Sequence, residues 1–394
     1  MELAELFLKK DEERRIRAGH LWVFSNEVDT ARSALQAFEP GQPVRILAHD
    51  GRFLGSGYVN PHSLIAARIL SRDPEHPPGE SLLVHRLNVA LSLRERFYAR
   101  PFYRLAFGES DGLPGLIVDR YGNRLAVQIT TAGMEALRGA VVTALQRVLA
   151  PRGILLRNDQ PVRELERLER YVETIGEMPE TLDVPEGDGV FRVSPHRGQK
   201  TGWFYDQADN RARLAPYVRG RSVLDLFSYV GAWGLGAALS GAERVTCVDS
   251  SGPALELLLE NARRNRLDPE VLEGDAFDVL KALRADRRHF DVVIADPPAF
   301  VQRRKDFRRG AEAYRRLNRM ALQVTAPDGF LISGSCSHHM PGDAFLQGMQ
   351  AGARHLDRVL QLLERRGQSL DHPVHPAIPE TAYLKMFYAR VLRT

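Results

Sequence analysis

Asp225-Leu226-Phe227-Ser228-Tyr229-Val230-Gly231-Ala232-Trp233-Gly234 follows the short apolar run Ser222-Val223-Leu224. A buried strand ending in an acid, then a turn holding two glycines, lets a ligand approach the backbone closely. Several kinds of nucleotide-binding domain share this pattern, so the neighbouring segments must decide the fold. Downstream, Arg244-Val245-Thr246-Cys247-Val248-Asp249 reads as a strand and Pro253 to Arg266 as a long helix. Strands at Phe290 to Ala295 and Phe330 to Gly334 enclose a helix around Tyr314 to Val324. Regular alternation of strand and helix predicts a parallel sheet covered on both faces, a doubly wound, Rossmann-like α/β domain. Ligands of such sheets bind outside the carboxyl ends of the strands.

Upstream the pattern is different. Val44 to Leu47 and Leu64 to Leu70 read as strands separated by the turn formers Asp50-Gly51 and Asn60-Pro61, with a bend or bulge at Gly55-Ser56-Gly57. The polar, proline-rich run Arg72 to Gly79 reads as a linker. A helix from Leu82 to Tyr98, a hairpin around Tyr121-Gly122-Asn123, a helix from Met134 to Leu149 and a strand at Gly153 to Leu156 describe a small α+β domain. The 394 residues therefore divide into a β-rich module (1–72), a central α+β domain (73–189) and the alternating domain (190–394).

Composition sets bounds on function. Hydrophobic residues make up 44% and charged residues 26%, as in an ordinary globular protein, with no long apolar run to cross a membrane and no signal-peptide core. The expected location is the cytoplasm. Two cysteines cannot build a disulfide framework, and no metal-ligand set is legible around His338 and His339. The net charge of +4, carried mostly by arginine, suits a polyanionic partner as well as it suits a compositional bias.

Three acids fall at the ligand-binding edge. Asp249 ends the second strand about twenty residues past the glycine turn, where a carboxylate can accept from two ribose hydroxyls. Asp275, in Gly274-Asp275-Ala276-Phe277, could meet an adenine amino group; both acids could instead cap the helices that follow them. The third, Asp296, opens Asp296-Pro297-Pro298-Ala299-Phe300 at the end of a hydrophobic strand. Two prolines rigidify this loop, which can grip a flat nucleobase through its carboxylate, its carbonyls and the Phe300 ring. An NAD domain is the competitor, but the glycine turn is not a G-x-G-x-x-G and the Asp-Pro-Pro loop has no role in hydride transfer. S-adenosylmethionine and methyl transfer fit the set better.

Ser335-Cys336-Ser337-His338-His339 lies just past a strand end, where a thiolate could be exposed. Carbon 5 of a pyrimidine is a poor nucleophile until a thiolate adds to carbon 6. Cys336 is thus a candidate nucleophile, whereas Cys247, inside an apolar strand, reads as a buried structural thiol.

These segments together resemble bacterial large-subunit (23S) ribosomal RNA cytosine-5 methyltransferases with an N-terminal PUA domain. Arg17-Ala18-Gly19-His20-Leu21-Trp22-Val23-Phe24-Ser25 is similar to the opening of that PUA domain. Gly108 to Gly122 is similar to the signature of the central domain, and Thr201 to Arg211 to the segment preceding the methyltransferase sheet. The resemblance implies cofactor contacts from Phe204, Asp206, Gln207, Asn210 and Arg211, then from Asp225, Phe227 and Gly231. It extends them to Asp249, Ser250, Asp275, Ala276, Phe277 and Asp296. It also implies target-base contacts from Asp296, Pro297, Pro298 and Phe300, with Cys336 as nucleophile. Ala299 stands where the family's loop has lysine, and Val230 where threonine is usual. The implied partner is ribosomal RNA, with a homodimer compatible. Alternatives left open are guanine N2 or uridine C5 methylation, and a non-catalytic RNA-binding or assembly protein.

Overall fold

The computed structural model describes residues 3–393, which fall into two compact units. The first comprises residues 1–181, 194–205 and 370–381. Its N-terminal part is a five-stranded sheet in the order Ala4–Phe7, Pro43–Leu47, Phe53–Val59, Ile65–Ser71, Trp22–Phe24. The bulge expected at Gly55-Ser56-Gly57 is present as register shifts on both sides of the Phe53–Val59 strand. Inward-facing Leu6, Val23, Val44, Ile46 and Ile69 form the core.

A second five-stranded sheet follows in the same unit: Tyr171–Gly176, Gly153–Asn158, Arg124–Ile129, Leu116–Tyr121, Phe102–Phe107. Only Arg124–Ile129 and Gly153–Asn158 run parallel, joined by a helical crossover as parallel neighbours require. That crossover, expected as one helix, is two, Ala132–Ala136 and Arg138–Leu149, with a break at Leu137 (φ −90°, ψ 7°). Polar bridges, most of them buried, fasten the two sheets together. Tyr58 donates to the Pro114 carbonyl (2.9 Å), Trp22 to Glu109 (2.8 Å) and Asn60 to Glu166 (2.7 Å), and Arg68 pairs with Glu166 (3.0 Å). Such bridges hold the two sheets within one compact unit.

The Gly108 to Gly122 signature owes much of its chemistry to buried ion pairs. Arg94 holds Asp111 through two bonds (2.5 and 2.8 Å), and Arg104 holds Asp119 through two more (2.8 Å each). Asp119 is fully buried and also accepts from the Thr201 hydroxyl (2.5 Å).

The second unit comprises residues 182–193, 206–369 and 382–394. Its sheet contains β1 (Ser222–Leu226), β2 (Arg244–Asp249), β3 (Glu270–Glu273), β4 (Phe290–Ala295), β5 (Thr325–Ser335), β6 (Arg358–Arg366) and β7 (Lys385–Arg393). The order is β3-β2-β1-β4-β5-β7-β6, with β7 antiparallel to both its neighbours. Helices α1 (Ala232–Leu239), α2 (Gly252–Arg264), α3 (Ala276–Ala285), α4 (Phe307–Val324) and α5 (Gly342–Arg354) complete the alternation. In α2, Ser251 caps the first turn by accepting from the Ala254 amide (3.4 Å). Its residues Leu255, Leu258 and Ala262 recur at helical spacing and are buried. In β4, Val292, Val293, Ile294 and Ala295 are all inaccessible, as expected of a strand covered on both faces. Each large aliphatic side chain so buried contributes roughly 1.5–3 kcal/mol. The chain turns to β2 and β3 on one side of β1 and to β4 and β5 on the other. The crevice at this reversal, outside the carboxyl ends of β1 and β4, is where such sheets bind ligands.

Candidate active site

The turn after β1 is held in an unusual backbone conformation. Phe227, Tyr229 and Gly231 all have positive φ (64°, 48° and 91°), which costs the two non-glycine residues conformational energy. Asp249, at the end of β2, clasps this turn by accepting from the Tyr229 amide (2.8 Å), and it accepts from the Ser251 amide (2.9 Å). A carboxylate has four lone-pair positions, so these bonds leave acceptor capacity on Asp249. Gly234 must be glycine because a Cβ there would lie 2.4 Å from Cys247 Sγ.

Asp225 is fully buried beneath the turn. Its Oδ2 accepts from the Gly234 amide (2.8 Å), while its Oδ1 has no hydrogen-bond partner. Burial holds its carboxyl well above the usual range, and the charges of Asp296 and Asp249 push the same way. Asp275 is exposed and caps α3, its Oδ1 accepting from the Phe277 and Asp278 amides (2.9 and 3.3 Å). The capping alternative is thus realised at Asp275, and it leaves Oδ2 outside the cap. Ser250 lies in the same turn as Asp249, Ala276 is buried in the first turn of α3, and the half-buried Phe277 ring lies beneath the Arg316 guanidinium (5.0 Å).

The Asp206 to Arg211 segment is tied into the same end of the sheet. Asn210 donates to Gln207 Oε1 (2.7 Å), which orients the glutamine so that its amide nitrogen donates to Asp296 (2.9 Å). The Trp233 indole donates to the same Asp296 oxygen (3.1 Å). Asp206 accepts from the Tyr383 hydroxyl (2.5 Å), and Arg211 pairs with Glu186 through two bonds (2.5 and 2.6 Å). Phe204 belongs to the first unit, where its ring lies 4.3 Å from the Lys200 ammonium.

The two chemical segments meet. Cys336 follows β5, is half-buried, and its Sγ lies 3.9 Å from the Pro297 carbonyl oxygen. Ser337 joins the loops a second time: its hydroxyl accepts from the Val301 amide (3.1 Å) and bonds the Tyr314 hydroxyl (2.7 Å). Tyr314 in turn accepts from the Phe300 amide (3.2 Å). Pro298 is exposed, whereas Phe300 packs inward against Tyr314 (4.7 Å between ring centres). Cys247 is fully buried and burial raises its thiol well above the ordinary value, in keeping with a structural role. Tyr314 and Tyr383 join the site without any sequence signal, and Trp233 and Ser337, though inside the quoted segments, join it through side chains those motifs do not single out. Their roles come from long-range contacts that no local motif carries.

Acids at the carboxyl edge of a doubly wound sheet, where its strand order reverses, with an orphaned buried carboxylate oxygen beneath the glycine turn, define a Rossmann-like fold whose ligands bind at that edge. Family comparison agrees. Residues 162–389 match the S-adenosylmethionine-dependent methyltransferase family, and residues 6–72 match the PUA-like domain family. Proteins named ribosomal RNA large subunit methyltransferase I are similar over nearly the whole length. The Serratia proteamaculans protein is 35% identical over 98% of this chain and 99% of its own. The Aliivibrio fischeri (strain MJ11) protein is 36% identical over the same shares. The chain belongs to this S-adenosylmethionine-dependent methyltransferase family. Among solved structures, a putative S-adenosylmethionine-dependent methyltransferase from Streptococcus mutans shares the fold, with a TM-score of 0.83 at 22% identity, covering 98% of this chain and 100% of that one. A second, described as a putative methyltransferase complexed with SAH, gives the same TM-score and identity over 99% and 100%. No helix among the described residues is long and apolar enough to cross a membrane.

Proposed function

We propose that the chain methylates carbon 5 of cytosine in 23S ribosomal RNA, in the cytoplasm, with Cys336 as covalent nucleophile. The observation that carries this reading is the position of Cys336 at the end of β5, its sulfur 3.9 Å from the backbone of the Asp-Pro-Pro loop. Asp225, Asp249, Asp275 and the turn from Phe227 to Gly231 would hold S-adenosylmethionine, which supplies an electrophilic methyl group. The unpaired Oδ1 of Asp225 and the acceptor capacity left on Asp249 fit such a ligand.

The Cys336 thiolate adds to carbon 6, forming an S–C6 bond as the C5=C6 π pair shifts toward carbon 5. After methylation, a base removes the carbon 5 proton, its electron pair restores the double bond, and the C6–S pair returns to sulfur. Asp296, whose carboxylate accepts from Gln207 and Trp233, would engage the base near N3 and its exocyclic amine. The exposed Pro298 frames the base, and Phe300, bound to Tyr314, keeps the loop in shape. Arg303, Arg304, Lys305, Arg308 and Arg309 follow this loop with exposed side chains, and the PUA-like module adds a second RNA-binding element.

Incubation with 23S ribosomal RNA and S-adenosylmethionine, followed by nucleoside analysis, tests the reading. It predicts 5-methylcytidine. 5-Methyluridine would move the target to the other pyrimidine, and N2-methylguanosine would replace covalent catalysis with direct amine methylation.

A further inference from the structure

The last strand of the sheet brings a cation to the cysteine turn. β7 pairs antiparallel with β5, and its first residue, Lys385, lies opposite Ser335, the residue before Cys336. The Lys385 ammonium donates to the carbonyl of Ser337, the residue after Cys336, at 2.6 Å. Backbone register therefore fixes Lys385 on one side of the cysteine, and a side-chain bond fixes it on the other. Burial pushes the lysine down to about 8, and the charge of Cys336 opposes that fall.

The other charged groups nearby are engaged elsewhere. Asp343, in the first turn of α5, pairs with Arg365 of β6 (3.1 Å). Arg366 of β6 bonds Asn210 (3.0 Å) and Glu364 (3.4 Å). His338 and His339 pack edge-on against each other (4.8 Å between ring centres). Among the described residues no carboxylate forms an ion pair with Lys385, so the cysteine is the group that its charge acts upon.

We propose that Lys385 is a positioning residue for Cys336, holding the Ser335 to Ser337 turn and stabilising the thiolate against the thiol. This rests on the reading of Cys336 as nucleophile. A neighbouring ammonium favours the charged form of a thiol, and the thiolate is the species that attacks carbon 6. The thiol proton passes to solvent, so no further reactant is needed.

Alkylation of the full-length protein by iodoacetamide between pH 6 and 10, with each cysteine followed by mass spectrometry, reads this directly. The buried Cys247 serves as an internal control. In Lys385→Gln, which keeps a donor for the Ser337 carbonyl but removes the charge, the Cys336 inflection should rise by about one pH unit, slowing alkylation at pH 7 roughly three- to tenfold. Lys385→Arg should stay near the wild-type profile, and the Gln variant should lose kcat with its KM for S-adenosylmethionine unchanged. A wild-type inflection in Lys385→Gln, or an Arg variant that behaves like the Gln variant at native melting temperature, overturns the proposal. Retained methylation by Cys336→Ala would instead defeat the nucleophile reading, and the alkylation profile would still decide the lysine's effect on the thiol.

Discussion

Cys336 Sγ lies 3.9 Å from the Pro297 carbonyl oxygen, although 39 residues separate the two in sequence. The contact depends on Ser337, whose hydroxyl ties the Val301 amide and Tyr314 into the cysteine turn. Ser337→Ala would leave two buried groups without that partner, at about 1–3 kcal/mol each. The expected result is a lower melting temperature together with a loss of kcat. Tyr314→Phe, which keeps the ring but removes the acceptor of the Phe300 amide and the partner of Ser337, should have a comparable effect on both.

Asp225 makes the apo protein sensitive to pH. Its carboxyl is raised in the folded state, so between its unfolded value and its folded one the native state binds more protons than the unfolded state. Its contribution to stability is therefore fully present below the unfolded value and declines as pH rises toward the folded one. Thermal melts from pH 5 to 8 should show a shallower decline for Asp225→Asn than for wild type. Parallel declines would mean that Asp225 does not set this dependence.

Arg104 and Asp119 form a fully or nearly buried two-bond pair in the first unit. Removing one partner strands the other charge, so Asp119→Ala should cost about 3–5 kcal/mol in chemical denaturation of the full chain. The Gly108 to Gly122 stretch is then constrained by folding, without any requirement for contact with RNA.

The basic cluster beside the Asp-Pro-Pro loop predicts a salt signature. If Arg303 and Arg304 neutralise RNA phosphates, replacing both with Gln should flatten the slope of log affinity against log salt by about 0.7–0.9 for each phosphate no longer neutralised. A slope equal to that of wild type would assign the cluster to solvent.

Much of the second unit is legible in the sequence. β1, β2 and β4 occur at the expected residues because their apolar runs are short and each carries an acid at or next to its carboxyl end. Other elements carry weak signals. β3 is four residues with two glutamates, and β6 (Arg358–Arg366) lacks a clean polar–apolar alternation although its burial alternates. α4 begins at Phe307, seven residues before the expected helix, behind an arginine-rich and glycine-containing start. The acids at the carboxyl edge can be read because each ends a legible strand or opens a legible helix. Trp233, Tyr314 and Lys385 cannot, since each acquires its partner only when distant strands pair.

Covalent catalysis by this protein requires a bond between Cys336 and carbon 6 of the target base. Ribosomal RNA carrying 5-fluorocytidine tests it most directly, because fluorine at carbon 5 blocks the proton removal that releases the enzyme. With S-adenosylmethionine present, a stable protein–RNA adduct should form, mapping to the Cys336 peptide and absent from Cys336→Ala. No adduct at Cys336, from a preparation that methylates unmodified RNA, would contradict it.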